Sequence, residues 1–450
     1  MSYRVVTGLC YFNFNLCCHQ HCIGVWRCST MEHDEERQRW MFAEHDERCE
    51  NGENCVEPMN AKSPKLHRRV GHVAVKYKNF VVVWGGYEDD EQYDNNAYTR
   101  EPYYHPADEV MLYDCEYEVW HGVRIHGDPP PRLCGATAGV IGDRMLLFGG
   151  FMEDRQLGTS NVRTVYELDL NKMAWKQIWA DGVPPLACDK LVSWCYEGKF
   201  YLFGGFGPWP DDPGYYRDVR LAAHPGAMRE DRCWNDQLVR LADGRWEWPE
   251  TRGDRPTPRA AHAAALVGSR AYIFGGRLGN RLNDFYCLDL ETMVWTKLEP
   301  SDPAAPVPAA RSWHSLTALD DHGRLLLYGG FDALSQPLAD PWIWSPSGQR
   351  WSPCTWLSEP PIRMWHAATP GEAGEVVLFG GLASSVLLDQ PTYASGSVFL
   401  RETPKSLIRL CLDVLDANRE TSVPLVWFTP SPLADGIIAR LTACGSKPVV

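Results

Sequence analysis

Short apolar runs that end in two glycines recur along the chain. They read VVVWGG, MLLFGG, FYLFGG, AYIFGG, LLLYGG and VVLFGG, with the glycine pairs at 85–86, 149–150, 204–205, 275–276, 329–330 and 380–381. Runs of this length, rich in β-branched and aromatic residues and bounded by glycine, are typical of buried β-strands. Six copies at intervals of about 50 to 70 residues indicate a repeat protein.

Two further elements mark the repeats. Upstream of the glycine pair, four repeats carry an Arg-x-x-His element, at Arg69 and His72, Arg259 and His262, Arg311 and His314, and Arg363 and His366. Downstream comes a strand such as VYELDL and then a tryptophan, at Trp120, Trp175, Trp246, Trp295 and Trp351. Four short strands per repeat, separated by turn residues, predict the blade of a β-propeller. Closing the ring of blades removes the free sheet edges that would otherwise favour aggregation.

The double glycine followed by a spaced tyrosine and tryptophan resembles the kelch family. The resemblance covers residues 67–403 and implies an all-β, six-bladed kelch β-propeller. The last repeat lacks a closing tryptophan strand before Pro404. We therefore expect a segment upstream of Arg69 to complete that blade.

Charge and composition narrow the classes of function. The chain has 450 residues, 44% of them hydrophobic, and a net charge of −14. It has no basic stripe for nucleic acid and no run of about 18 apolar residues for a membrane span. Most of the sixteen cysteines stand singly in strand-like segments, which predicts free thiols and a reducing compartment, the nucleus or the cytoplasm.

The first 66 residues are predicted to form an extension outside the propeller, in large part unstructured. The stretch LCCHQHC offers zinc ligands at Cys17, Cys18, His19, His21 and Cys22. Its spacing matches no standard zinc finger and lacks a second paired half. We therefore predict no metal and no other cofactor.

One repeat departs from the others directly after its glycine pair. The residues at this position are Tyr87, Phe151, Phe206, Arg277, Phe331 and Leu382. Only Arg277 is charged, and Arg281 follows four residues later. A single arginine in a loop is commonly paired with a nearby carboxylate, here Asp284. Two arginines in one short loop favour an anion bound between them.

Neighbouring segments indicate which anion would bind. The stretch ARSWHS supplies Ser312 and Trp313, CWND supplies Trp234 and Asn235, and DKL supplies Lys190. Two guanidinium groups, a hydroxyl donor and aromatic walls suit a carboxylate on a slender chain. Arg311 belongs to the repeated Arg-x-x-His element and is interpreted as structural.

These segments, taken in order, resemble the kelch-repeat substrate receptors of cullin-2 ubiquitin ligases, which bind the C-terminal diglycine of target proteins. The resemblance implies that Arg277, Arg281 and Ser312 hold the terminal carboxylate, with a cleft shaped by Lys190, Phe206, Trp234 and Trp313. Two departures bear on the strictness of the diglycine preference. Three residues rather than four separate the arginines, and Phe206 stands where the group has a tyrosine.

The C-terminal region, residues 404–450, is predicted to be a helical adaptor-binding tail. The spacing of Leu407, Cys411 and Leu415 resembles the elongin-binding BC box, and a helix that only packs under the propeller is the alternative. Further on, the stretch LADGIIARL resembles the cullin-2 box, with Ala434 in place of the usual proline. Its apolar positions are Leu433, Ile437 and Leu441.

The sequence therefore predicts a non-catalytic substrate receptor of an elongin B/C and cullin-2 ubiquitin ligase. It would bind proteins whose C-termini end in Gly-Gly and direct those proteins to degradation. One alternative is a kelch scaffold with no ligase role. Another is a metal-dependent kelch-type enzyme, which the absence of a repeated His or Glu cluster disfavours.

Overall fold

A computed structural model describes residues 68–402, except 95–96, 155–157, 217, 224–230, 358–359, 372–373, 389 and 395. The predicted N-terminal extension and C-terminal tail lie outside the described residues. The same holds for the tail positions Leu407, Cys411, Leu415, Leu433, Ile437 and Leu441. In the part of the chain that is described, no helix is long and apolar enough to span a membrane.

The first blade is an antiparallel sheet, the second is antiparallel except for one short parallel edge strand, and each has a hairpin inserted after its glycine pair. The first comprises β1 (Val73–Tyr77), β2 (Phe80–Trp84), β3 (Tyr87–Asp94), β4 (Ala97–Tyr104), β5 (Glu109–Asp114) and β6 (Val119–Arg124). Its sheet order is β1-β2-β5-β6, and β3 pairs with β4. The second comprises β7 (His126–Gly127), β8 (Thr137–Ile141), β9 (Arg144–Phe148), β10 (Phe151–Asp154), β11 (Gly158–Asn161), β12 (Val165–Asp169) and β13 (Ala174–Ile178). Its order is β8-β9-β12-β13-β7, and β10 pairs with β11.

The third blade carries the longest excursion beyond its glycine pair, and the fourth extends two long strands into a tight hairpin. The third comprises β14 (Val192–Tyr196), β15 (Lys199–Phe203), β16 (Phe206–Pro208), a 3-10 turn (Pro213–Tyr216), β17 (Leu221–Ala223), β18 (Arg232–Asn235), β19 (Leu238–Ala242) and β20 (Arg245–Glu247). Its blade order is β14-β15-β19-β20, beside a small sheet β16-β18-β17. The fourth comprises β21 (Arg252–Gly253), β22 (Ala263–Val267), β23 (Arg270–Leu278), β24 (Asn280–Asp289) and β25 (Val294–Lys297), in the order β22-β23-β24-β25-β21.

The last two blades complete the ring. The fifth comprises β26 (Arg311–Ser312), β27 (Ser315–Ala318), β28 (Leu325–Tyr328), β29 (Phe331–Asp332), β30 (Trp342–Ser345) and β31 (Arg350–Pro353). Its blade order is β27-β28-β30-β31, and β26 pairs with β29. The sixth comprises β32 (Ala367–Pro370), β33 (Glu375–Phe379) and β34 (Ser397–Arg401), in that order. The segment predicted to complete this blade, upstream of Arg69, lies outside the described residues.

The innermost strands close the ring in cyclic order. Each of β1, β8, β14, β22, β27 and β32 contacts the next, and β32 returns to β1. The prediction of an all-β, six-bladed propeller is confirmed for the described residues.

The repeated motif residues form the contacts between blades. In five of the six blades the aromatic residue before the glycine pair packs against the closing tryptophan of the next blade, as in Phe274 with Trp351, whose ring centroids are 5.3 Å apart. The repeat histidine of that next blade, His314, also contacts Phe274, with ring centroids 5.5 Å apart. The same arrangement closes the ring, because Phe379 of the sixth blade contacts His72 and Trp120 of the first.

The repeat arginines hold the glycine turns in place. Arg311 is fully buried, donates to the Gly329 carbonyl at 3.1 Å and makes a bidentate ion pair with Asp340 at 2.8 and 2.7 Å. Arg259 makes the equivalent contacts with Gly275 and Asp284. Arg311 thus has the structural role expected from the repeat.

Candidate functional site

Six residues surround the axis at one end of the propeller. Each precedes the first residue of an innermost strand by two positions, and they are Gly71, Gly135, Lys190, Ala261, Trp313 and Trp365. Consecutive members are joined by backbone hydrogen bonds of 2.7 to 2.9 Å, in which each N–H donates to the carbonyl of the preceding blade, from Gly135 to Gly71 through to Trp365 to Trp313. We call this set the mouth ring, because it surrounds the axis at the end where the glycine-pair loops lie.

The backbone of the mouth ring is left-handed, even where the residue is not glycine. The φ angles are 56° at Lys190, 54° at Ala261, 56° at Trp313 and 55° at Trp365. Non-glycine residues in this region store strain and are concentrated at functional sites. The side chains converge across the axis, since Trp313 stacks on Trp365 at 5.2 Å and Lys190 Nζ of the third blade lies 6.0 Å from the Trp365 ring.

The residues after the glycine pairs form a second set at the same end. Each pairs with the residue before the mouth-ring position of its own blade, as Arg277 does with Ala260 and Phe331 with Ser312. The backbone N–H of Arg277 donates to the Ala260 carbonyl at 2.9 Å. The repeat therefore places Arg277 at the mouth, where the other blades carry an aromatic residue or leucine.

Arg277 and Arg281 face each other across the tip of the β23–β24 hairpin. They are a cross-strand pair, and the turn between them has Gly279 at a φ of 69°. Arg277 Nε donates to the Gly279 carbonyl at 2.9 Å. Arg281 Nε donates to Ser312 Oγ at 3.2 Å, so the short loop still brings Arg281 to Ser312. The guanidinium carbon of Arg281 lies 4.3 Å from the centroid of the Phe331 ring.

The two arginines place two positive charges side by side. Burial lowers the pKa of Arg281, the charge of Arg277 lowers it further, and Asp332 opposes both effects. Neither arginine forms an ion pair with a carboxylate of the described residues. The pairing of Arg277 with Asp284 that the sequence offered as an alternative does not form, because Asp284 is bound by Arg259.

Ser312 and Trp313 lie where the fifth blade meets this hairpin. Ser312 is 1% exposed, and its hydroxyl accepts the hydrogen bond from Arg281. Trp313 is partly exposed, while its Nε1 atom is buried and makes no hydrogen bond to any described residue. Three of the predicted residues, Arg281, Ser312 and Trp313, are thus brought together at the mouth.

The third blade supplies the remaining predicted residues. Lys190 Nζ contacts the carboxylate of Asp189, which is buried and has an Oδ1 atom without a hydrogen bond among the described residues. Phe206 and Trp234 are register partners with ring centroids 5.3 Å apart. Asn235 is 1% exposed, and its amide binds the Gly205 carbonyl and the Gln237 N–H. These hydrogen bonds of the Asn235 side chain thus hold neighbouring backbone in place.

Two residues at the mouth, Trp365 and Arg232, were not predicted from the sequence. Trp365 occupies the same repeat position as Lys190 and Trp313, so the Arg-x-x-His comparison alone could have found it. Arg232 lies over the Phe206 ring at 4.7 Å and over the Phe151 ring at 5.7 Å. It comes from the third-blade insertion, which has no counterpart in the other repeats and gave no signal.

The described residues contain no group of side chains that could bind a metal ion together. No three His, Cys, Asp or Glu side chains among them come together as a metal site. The described cysteines are free thiols. The candidate zinc ligands Cys17, Cys18, His19, His21 and Cys22 lie outside the described residues.

Comparison with known proteins supports this architecture. The KLHDC2/KLHL20/DRC7 Kelch-repeats domain matches residues 71–322 and 223–394. The bovine kelch domain-containing protein 2 is 35% identical over 368 residues, which cover 78% of this chain and 85% of the relative. The human kelch domain-containing protein 1 is 32% identical over 391 residues, 83% and 90% of the two chains.

The solved structure of YjhT matches with a TM-score of 0.53 and 14% identity, and the match covers 76% of this chain and 97% of that one. At this identity the likeness shows the fold alone. The family match and the relatives together make the chain a kelch-repeat protein-interaction module. The chain belongs to the kelch-repeat family, in the group that contains kelch domain-containing proteins 1 and 2.

Proposed function

We propose that the mouth of this propeller binds the free C-terminus of other proteins, and that the chain presents them to a ubiquitin ligase. The carboxylate would lie between Arg277 and Arg281, with Ser312 as the third polar partner. Lys190, Phe206, Trp234 and Trp313 would surround the residues that precede it.

The observation that carries the proposal is the pairing of two arginines, neither of which forms an ion pair with a carboxylate of the described residues. Like charges held together on a hairpin repel, and burial adds a desolvation cost, so an anionic ligand recovers both. Planar guanidinium groups also match the two oxygens of a carboxylate. Arg277 and Arg281 meet these conditions, and the lowered pKa of Arg281 reflects the same repulsion and burial.

The aromatic side chains around the arginines favour a small last residue. Phe331 lies under Arg281, and Trp313 is within 6.0 Å of the Phe331 ring. A side chain next to the bound carboxylate would have to displace one of these rings, which supports C-termini that end in Gly-Gly. Phe206 has no hydroxyl to bind the peptide, so the selection would rest on space rather than on that hydrogen bond.

The ligase part of the proposal rests on the tail motifs and on kinship with kelch domain-containing proteins 1 and 2. A BC box at Leu407, Cys411 and Leu415 would bind elongin B/C. A cullin-2 box at Leu433, Ile437 and Leu441 would follow it. Such an assembly would act in the nucleus or the cytoplasm.

A four-part titration tests the carboxylate site. Wild type and Arg277→Ala are titrated with one Gly-Gly peptide as the free acid and as the amide. We expect Arg277→Ala to weaken binding of the acid by about 2 to 5 kcal/mol, the usual effect of removing one partner of a desolvated charge pair. The amide should bind poorly to wild type and lose little further in the variant, because the charge that Arg277 binds is already absent.

Two controls separate binding from folding. The thermal midpoint of Arg277→Ala should stay close to that of wild type, since a partly exposed arginine contributes little to stability. Arg252→Ala, at an exposed arginine on the outer edge of the same blade, should leave both affinities unchanged. Equal losses for the acid and the amide would reject the carboxylate site.

A further inference from the structure

The mouth has two chemically different sides. The third and fourth blades contribute the cations Lys190, Arg277 and Arg281. The fifth, sixth and first blades contribute one apolar cluster, in which partly buried side chains pack on fully buried ones. Its members are Val70, Phe331, Met364 and Leu382, with Tyr87, Trp313, Trp365, Val386 and Tyr393 packed against them.

Exposed leucines follow members of this cluster in the sequence, on the loops after two of the glycine pairs. Leu334 is 80% exposed, three residues after Phe331. Its loop is fixed by Asp332, whose Oδ1 accepts the N–H groups of Leu334 and Gln336 at 2.9 and 2.8 Å. The backbone therefore holds Leu334 outward at a defined place.

The sixth blade repeats this arrangement. Leu387 is 69% exposed and Leu388 is 53% exposed, directly after the cluster member Val386. Their N–H groups donate to Ser385, to its Oγ and its carbonyl, at 3.2 Å each. Exposed apolar side chains on two ordered loops beside a candidate pocket mark an interaction surface.

We infer that Leu334, Leu387 and Leu388 form an apolar rim that binds hydrophobic side chains upstream of the C-terminus held by the arginines. This inference rests on the proposed function and adds a second requirement to the ligand. The ligand is then a flexible C-terminal tail with a small end and an apolar residue shortly before it.

The continuity of the surface identifies the same peptide as the occupant. The guanidinium of Arg281 lies over the Phe331 ring, and Phe331 also belongs to the apolar cluster. A peptide that leaves the arginines therefore passes directly from the cationic side to the apolar side. A separate partner would have to share this ring with the bound carboxylate.

The length of the chain between the arginine site and the rim determines which peptide residues the rim contacts. Leu334 is three positions after Phe331 in the sequence, so their Cα atoms lie at most about 11 Å apart. An extended peptide covers that distance in about three to four residues. The rim would thus contact the third to fifth residues from the C-terminus.

The test uses synthetic peptides of equal length that end in Gly-Gly. One set carries leucine at the third to fifth positions from the end and the other carries serine, each as acid and amide. They are titrated by fluorescence anisotropy against the full-length chain, the double variant Leu334→Ser with Leu387→Ser, and Trp179→Ser. Trp179 is the matched control, because it is 84% exposed and follows the closing strand of the second blade.

We expect the leucine acid to bind wild type about tenfold more tightly than the serine acid. The double variant should lose most of this difference while its affinity for the serine acid stays unchanged, and Trp179→Ser should keep the difference. Equal affinities of leucine and serine acids, with the preference for acid over amide intact, would overturn the rim and leave the carboxylate site standing. Loss of the preference for acid over amide in wild type would overturn both. Sedimentation that shows wild type self-associating through these leucines would assign the rim to a second copy and reject it as a peptide site.

Discussion

Acidification should weaken this propeller through its repeat histidines. His72, His262 and His314 are buried between blades, and burial is the main cause that holds their pKa values well below the usual range. Burial, with the charge of Arg363, lowers the pKa of His366 to about 3. These rings stay neutral in the folded chain and become protonated only when it unfolds.

The size of the effect follows from linkage. With an unfolded pKa of about 6.5, each histidine favours unfolding by about 0.1 kcal/mol at pH 7.5 and by about 1.4 kcal/mol at pH 5.5. Four such groups lower the free energy of unfolding by about 5 kcal/mol over this range. Because the folded pKa values are depressed, the stability is complete above pH 6.5 and falls as the pH decreases. The loss is comparable with the total stability of many domains.

The assay is chemical unfolding of the purified chain at half-unit steps between pH 7.5 and 5.5, followed by tryptophan fluorescence. The window lies above the pH at which most carboxylates titrate, so histidines dominate the slope. His314→Gln should be less stable at pH 7.5, yet its pH dependence should be smaller by about one quarter. His322→Gln, at an exposed position, should behave as wild type. A stability that is constant between pH 7.5 and 5.5 would refute the burial of neutral histidines.

Two further predictions concern the ligand and the adaptor. Peptides that end in Gly-Gly should bind more tightly than those that end in Gly-Val by at least about fivefold, because overpacking beside Trp313 and Phe331 costs about 1 to 3 kcal/mol. Equal affinities in a competition titration would show that the pocket admits side chains. Leu407→Ala with Cys411→Ala should abolish co-purification of elongin while peptide binding persists. Elongin recovered at the wild-type level would reject the BC box.

The repeat made the blades predictable from sequence. An aromatic residue before two glycines, a histidine and a tryptophan are recognisable in a single chain, since each blade needs the same contact with its neighbour. In the structure Phe274 lies between His314 and Trp351 of the next blade for this reason. The predicted position of Arg277 followed from the same comparison.

Ion pairs between distant positions of the same repeat were harder to predict from the sequence. The sequence offered Asp284 as a partner for Arg277, because the two residues are close along the chain. In the fold, Asp284 pairs with Arg259, and Asp340 pairs with the equivalent Arg311. Aligning the two repeats would have matched Asp284 with Asp340 and so predicted the Arg–Asp pair. The short distance along the chain between Arg277 and Asp284 instead suggested the wrong partner. Arg232 was missed for a different reason, since an insertion has no repeat against which to compare it.

The pattern of exceptions explains how a structural repeat acquires one binding site. Side chains that pack between blades must be similar in every repeat, because the neighbouring blade is similar. The mouth ring does not have this constraint, so its members range from Gly71 to Trp365 while their backbone hydrogen bonds remain the same. Glycines at Gly71 and Gly135 leave space over the axis, and a Cβ atom at Gly71 would lie 3.3 Å from Trp365 Nε1. Small residues in the first two blades therefore permit the large side chains of the fifth and sixth to meet Lys190 across the axis. The asymmetry of the mouth is what turns a six-fold scaffold into a site for a ligand with one charged end.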